Sequence, residues 1–318
     1  MPLPLPSNFM IQEIPYAGWK RNLRIQGPTT ELVVTLEVGP RILRYGFHDG
    51  RNVFVEMADQ LGGSGEAEWM LRGGHRFWTA PEADHSYERD NGPVEWKQVG
   101  DLAVEITEPV SKTYGFQKTM RIELLENELV RVTHLLTNTT GALLDVTPWV
   151  LSVMAPGGTA IIPQPPFNPH PSEFPEGRST CTEDYLPNRE LVLWPFTNLT
   201  DGRFDFGIDF LRVRFLPEMP ATKIGLKLAT GWLAYQNGET VFAKHFVYDP
   251  AQPYPDRGSN FELFTNYAIL ELESLAPALP LEAGAVREHV EHWVLRPTTS
   301  DLRGEKAAKA FFAELPKI

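Results

Sequence analysis

Apolar residues recur along this chain with a period of two rather than 3.6. Leu32, Val34, Leu36 and Val38 alternate with Val33, Thr35 and Glu37, and Gly39-Pro40 ends the run. Leu102, Val104 and Ile106 form a second alternating set, and Met120, Ile122 and Leu124 a third. A turn at Glu126-Asn127 leads into Val130, Val132, His134 and Leu136. Alternation of this kind marks strands with one buried face. Residues 223–247 predict a hairpin or meander, with Ile224, Leu226 and Leu228 on one face and a tight turn at Asn237-Gly238. Strands over 261–275 and 287–295 complete the set. Helix is scarce. The one clear candidate is C-terminal, about 301–315, with Ser300 or Asp301 as its cap and Pro316 beyond its end. The expected fold is all-β, sheet packed on sheet, with a short C-terminal helix, in a single domain spanning 1–318.

Two stretches break the alternation and predict long ordered loops. Residues 62–93 are rich in Gly, His, Trp, Glu and Asp, and residues 156–188 are rich in Pro.

The 318 residues are 42% hydrophobic and carry a net charge of -12, with no basic stripe. That balance disfavours nucleic acid and anionic membranes as partners and fits neutral or weakly charged ones, sugars among them. The single cysteine, Cys181, excludes an intrachain disulfide and predicts a small, partly buried side chain. The start, Met1 to Pro6, lacks a basic flank and an apolar core, so the cytoplasm is the expected location.

Candidate chemistry concentrates in two places. The first is Arg72-Gly73-Gly74-His75-Arg76-Phe77-Trp78, followed by Glu82, Asp84-His85 and Asp90. Paired glycines allow close backbone approach to a ligand. His75 is a general acid or base. Arg76 presents a fork of donors to hydroxyls, and Trp78 offers a face to a sugar ring. The plain alternative is a structural loop in which Arg76 pairs with Glu82 and Trp78 caps the core. The second is Leu270-Glu271-Leu272-Glu273, where strand geometry puts both carboxylates on one face. In an enclosed site, burial and mutual repulsion raise one of them toward a useful base. His75, His85 and Glu82 match no metal-binding spacing. His289 and His292, three apart on a strand, face opposite ways.

At these residues the chain resembles the galactose-mutarotase-like superfamily of aldose 1-epimerases and hexose-phosphate epimerases. The ordered matches are Val38-Gly39-Pro40-Arg41-Ile42, Leu71 to Arg76, Leu136 to Thr140, Leu270 to Glu273 and Pro280 to Trp293. More narrowly, it is similar to a branch of that superfamily marked by Gly-Gly-His-Arg and Leu-Glu-Leu-Glu. The resemblance spans about residues 25–296 and implies a β-supersandwich with an open, sugar-holding face. It implies a cofactor-free isomerase in which a glutamate deprotonates the anomeric hydroxyl and a histidine protonates the ring oxygen. The glutamate falls at Glu273, with Glu271 the alternative. His75 occupies the region of the first substrate-contacting histidine, and Arg76, Glu82, Trp78, Arg41 and His85 are the substrate-binding candidates. The family's second histidine has no counterpart in Thr147-Pro148-Trp149-Val150, and His170 is the candidate substitute. Three functions follow: an aldose 1-epimerase-like enzyme, a non-catalytic carbohydrate-binding protein, or an interaction domain using Trp69, Trp78 and Trp96.

Overall fold

The structure, a computed structural model, describes residues 10–174, 177 and 179–318. The stretch Met1 to Pro6 lies outside them. Two ten-stranded antiparallel sheets account for nearly all of the regular structure. In order across the first sheet lie β1 (Met10–Tyr16), β2 (Trp19–Gln26), β3 (Thr30–Thr35), β4 (Arg41–Phe47), β5 (Gly74–Ala80), β10 (Thr147–Val153), β19 (Leu270–Leu275), β18 (Phe261–Thr265), β15 (Thr222–Leu226) and β12 (Val192–Leu193). Across the second lie β13 (Phe204–Phe206), β14 (Phe210–Arg214), β11 (Thr159–Pro163), β16 (Trp232–Asn237), β17 (Thr240–His245), β20 (Val286–Pro297), β9 (Val130–Asn138), β8 (Phe116–Leu124), β7 (Ala103–Thr107) and β6 (Glu95–Gly100).

The alternating sets do what their period requires. Leu32, Val34, Val104, Ile106, Met120, Ile122, Val130 and Val132 all face the space between the sheets and are buried in one large core. The Asn237-Gly238 turn joins β16 to β17, and Asn127 takes the left-handed conformation between β8 and β9. The C-terminal helix spans Glu305–Ala313 rather than 301–315, because Asp301 folds back onto Arg303 in a turn and Gly304 is its N-cap. It covers the outer face of the second sheet over Ile161, Phe210, Ala234 and Val294. Among the described residues no helix is long and apolar enough to cross a membrane.

Both expected long loops contain a strand. Residues 74–80 form β5, buried at every position in the middle of the first sheet. Gly73 and Gly74 (φ +87° and +75°) lie against neighbouring backbone. A Cβ on either would strike the carbonyl oxygens of Val55 and Ile42, so the glycines permit close packing of neighbouring chain segments. Residues 159–163 form β11, whose Ile161 and Ile162 are buried on opposite faces. Cys181 is exposed rather than partly buried.

A charged network crosses the core between the sheets. Lys244 and Glu291 are fully buried and paired at 2.8 Å. Lys244 also donates to the Leu272 carbonyl and, at 3.4 Å, to Ser152. Glu291 accepts from Ser274 and Trp293. Three histidines join it: His75 contacts Ser152 and His134, His134 reaches the His289 carbonyl, and His289 reaches Ser274. One proton order satisfies every member with all three rings neutral. His134 Nδ1 donates to the carbonyl, so its Nε2 accepts from His75 Nε2, and His75 Nδ1 accepts from Ser152. Burial holds these rings below the ordinary histidine range, His134 to about 4 and His289 to about 3.

This buried chemistry predicts a specific acid profile. As pH falls through 6.5 the unfolded chain protonates its histidines while the folded core does not, and stability is lost. Glu108 and Glu271, raised by burial to about 7, act the other way between 7 and 4.5, because the folded state holds their protons. Glu262, also raised by burial, acts with them, and His245, held to about 4, acts with the histidines. Between pH 6.5 and 4.5 the raised carboxyls therefore offset most, but not all, of the loss from the histidines. Below 4.5 that offset ends and the charge-paired carboxylates add to the loss. Stability from urea denaturation is therefore expected to fall gently down to pH 4.5 and steeply below it, by about 1.4 kcal/mol per pH unit for each unmatched proton. A decline steeper above pH 4.5 than below it would contradict the assignment.

Candidate active site

The outward face of the first sheet holds a cleft of about 170 Å³. Its floor follows from register. Arg76 and Trp78 on β5 lie beside Leu151 and Trp149 on β10, and Leu151 lies beside Glu273 on β19. Glu273 is paired in turn with Glu262 on β18, and Glu271 with Phe264. Lys223 on β15 stands opposite Phe264. Side chains at alternate positions share a face, so these groups converge without any loop having to place them. The rim adds Glu82, Tyr87, Trp194 and Phe196.

Glu271 and Glu273 are almost fully buried, each held by a cation. Arg76 Nη2 donates to Glu271 Oε1 at 2.6 Å. Lys223 Nζ donates to Glu273 Oε2 at 3.1 Å, and the same oxygen accepts from Trp149 Nε1 at 2.9 Å. Lys223 also pairs with Glu262 at 2.7 Å. Burial pushes Glu271 up to about 7; the Arg76 charge opposes this and the Glu273 charge adds to it. Glu262 is raised further, again by burial. Burial alone would lower Lys223, but Glu273 and Glu262 outweigh it and hold the ammonium protonated. The cations rest on aromatic faces: Arg76 lies 4.5 Å from the Trp78 centroid and 5.0 Å from Trp69, and Lys223 lies 4.6 Å from Trp149 and 4.8 Å from Trp194.

Arg76, Trp78, Glu82, Glu271 and Glu273, all named from sequence, thus meet in one place. Arg76 pairs with Glu271 rather than Glu82, whose carboxylate takes the Tyr87 hydroxyl instead. The remaining candidates lie elsewhere. His75 neighbours Arg76 on β5 and so faces the core, fully buried in the charged network. Arg41 is fully buried and holds Asp90 and the carbonyls of Leu71 and Gly73, a structural clamp. His85 contacts Thr79 and Tyr114 behind the rim. His170 lies on the exposed Pro-rich segment with Ser172. His289 faces the core while His292 packs near His245, on opposite sides of β20. Of the three tryptophans offered as an interface, Trp69 and Trp78 pack together at the cleft, and Trp96 is exposed.

Sequence reasoning missed Lys223, Tyr87, Trp149 as a donor, and the Trp194–Phe196 wall. Lys223 was recoverable: Ile224 and Leu226 face the core, so the lysine one position before Ile224 had to face the other way.

No protein-family model and no curated protein matches the sequence. Solved structures do match in three dimensions. A TPR-domain containing protein from Parabacteroides distasonis superposes with a TM-score of 0.58 at 12% identity over 89% of this chain, which spans about half (48%) of that protein. A galactose mutarotase-like protein from Lactobacillus casei gives 0.57 at 10% identity, covering 86% of this chain and 100% of its own. Galactose 1-epimerase from Lactobacillus acidophilus gives 0.51 at 10% identity, covering 91% and 98%. The chain therefore shares its fold with these solved proteins, galactose mutarotase-like proteins among them.

Proposed function

We propose that the cleft binds a small carbohydrate and interconverts its anomers by acid–base catalysis between two carboxyl groups. The observation that carries this reading is the placement of Glu271 and Glu273 on one face of β19, beneath an aromatic wall and on the fold of known mutarotase-like proteins. Glu273, oriented by Trp149 and Lys223, takes the proton of the anomeric hydroxyl. Glu271, about half protonated at neutral pH, gives its proton to the ring oxygen as the C1–O5 bond breaks. Rotation about C1–C2 and the reverse transfers close the ring as the other anomer, and both carboxyls return to their starting states. The acid is thus a glutamate in place of a histidine.

A binding protein without turnover is the second reading. It is favoured by the tethering of both carboxylates to fixed cations and by the absence of histidine among the described residues lining the cleft. Saturation-transfer NMR and calorimetry over one panel of monosaccharides separate the two. Anomer exchange above the buffer rate supports the enzyme, and saturable heat without exchange supports the binder. Neither signal for any sugar removes both.

A further inference from the structure

The charge in the cleft is one-sided. Its lining carries three carboxyl groups, on Glu82, Glu271 and Glu273, against the single ammonium of Lys223. Behind the lining, Arg76 answers Glu271, and Glu262 adds a further carboxyl beside Lys223. Between these groups the walls are aromatic, with Trp78, Tyr87, Trp149, Trp194, Phe196 and Phe264. Ring faces flanked by carboxylates favour cations, because the ring quadrupole is negative on its face. The protein uses this property on itself, seating the Arg76 guanidinium on Trp78 and the Lys223 ammonium between Trp149 and Trp194.

Glu82 differs from the other carboxylates. Among the described residues it has no ion-pair partner, and its carboxylate accepts only from the Tyr87 hydroxyl. It stands at the exposed mouth of the cleft, where the Tyr87 ring meets the edges of Trp69 and Trp78 at 5.7 and 4.7 Å. A ligand cation arriving there meets an unanswered carboxylate and an aromatic corner. A ligand phosphate or carboxylate arriving there meets that same carboxylate as a like charge.

We infer that the ligand is an amino sugar with a free, protonated amine, and that Glu82 is its counter-ion at the Tyr87–Trp78 corner. This inference rests on the carbohydrate reading of the same cleft. N-acetylation removes the charge that Glu82 recognises, and phosphorylation introduces the charge it repels.

Calorimetric titration tests it with D-glucosamine, D-galactosamine and D-mannosamine, each beside its N-acetyl derivative and its parent hexose, at pH 7 and two salt concentrations. At least one free amino sugar is expected to bind about tenfold tighter than its two neutral counterparts, with the advantage shrinking at high salt. Glu82→Gln, at an exposed residue with one hydrogen bond, is expected to cut that advantage to about threefold or less. Neutral sugars that bind as well as the amino sugars overturn the inference and leave the carbohydrate cleft standing. An advantage that survives Glu82→Gln overturns the assignment of the counter-ion and with it the inference. Binding by no sugar at all removes both readings.

Discussion

Glu273→Gln is expected to reduce anomer exchange by about a hundredfold or more, the usual contribution of a positioned general base. The substitution keeps the size of the side chain. Its amide oxygen can still accept from Trp149 and Lys223, and Lys223 keeps Glu262 at 2.7 Å, so the local fold survives. The loss is confined to proton acceptance. Glu271→Gln has a different signature. Wild-type activity is expected to fall as pH rises through about 7, because the acid form of Glu271 disappears. In the variant the residual rate loses that alkaline limb. Rate measurements from pH 5.5 to 8.5 check both. An unchanged rate in Glu273→Gln, or an alkaline limb that persists in Glu271→Gln, moves the chemistry off β19.

Lys244→Met is expected to destabilise the protein by about 3–5 kcal/mol at pH 8, the usual cost of leaving one member of a buried ion pair alone. Against a typical total of about 5–15 kcal/mol this is a large fraction. The direction of its pH dependence is the sharper test. Burial opposes the charge on Glu291, and the Lys244 ammonium outweighs it and keeps the carboxyl ionised. Without the lysine, its nearest basic group is His75, whose Nε2 lies 4.0 Å from Glu291 Oε2. The histidines are held neutral by burial and partly by the Lys244 charge, so removing that charge raises their affinity for a proton. A group whose folded pKa rises contributes stability at low pH that is lost as pH rises. The gap between variant and wild type should therefore shrink between pH 8 and pH 5, as His75 becomes the counter-ion. Urea denaturation at the two pH values measures it. A gap that stays constant would show that the histidines do not couple to Glu291.

Much of the fold was legible because period-two alternation is a direct imprint of one-sided burial, as at Met120 to Leu124 and Val130 to Leu136. The site was legible in part for the same reason. Two glutamates two apart on an otherwise apolar strand must share a face, and that face lines the cleft. What stayed hidden was polarity at buried positions. In β5 the residues Gly74-His75-Arg76-Phe77-Trp78 look like a functional loop, since buried histidine and arginine carry no hydrophobic signal. Once that stretch is a strand, alternation divides its chemistry. Arg76 and Trp78 go to the cleft, and His75 goes to the core, where His134, Lys244 and Glu291 arrive from the other sheet. That partnership joins residues 59 to 216 positions apart and has no local signature. The cleft's lysine and second carboxyl partner, Lys223 and Glu262, lay outside both stretches singled out as chemical.

The central claim is that a sugar occupies the cleft above β19. A crystal structure of the protein soaked with the tightest-binding sugar of the panel tests it most directly. The account predicts a sugar ring in the space lined by Trp78, Trp149 and Tyr87, with its anomeric oxygen within hydrogen-bond reach of Glu273. A sugar found instead in the separate cavity lined by Pro165, Leu191 and Tyr248, with this cleft empty, would contradict it.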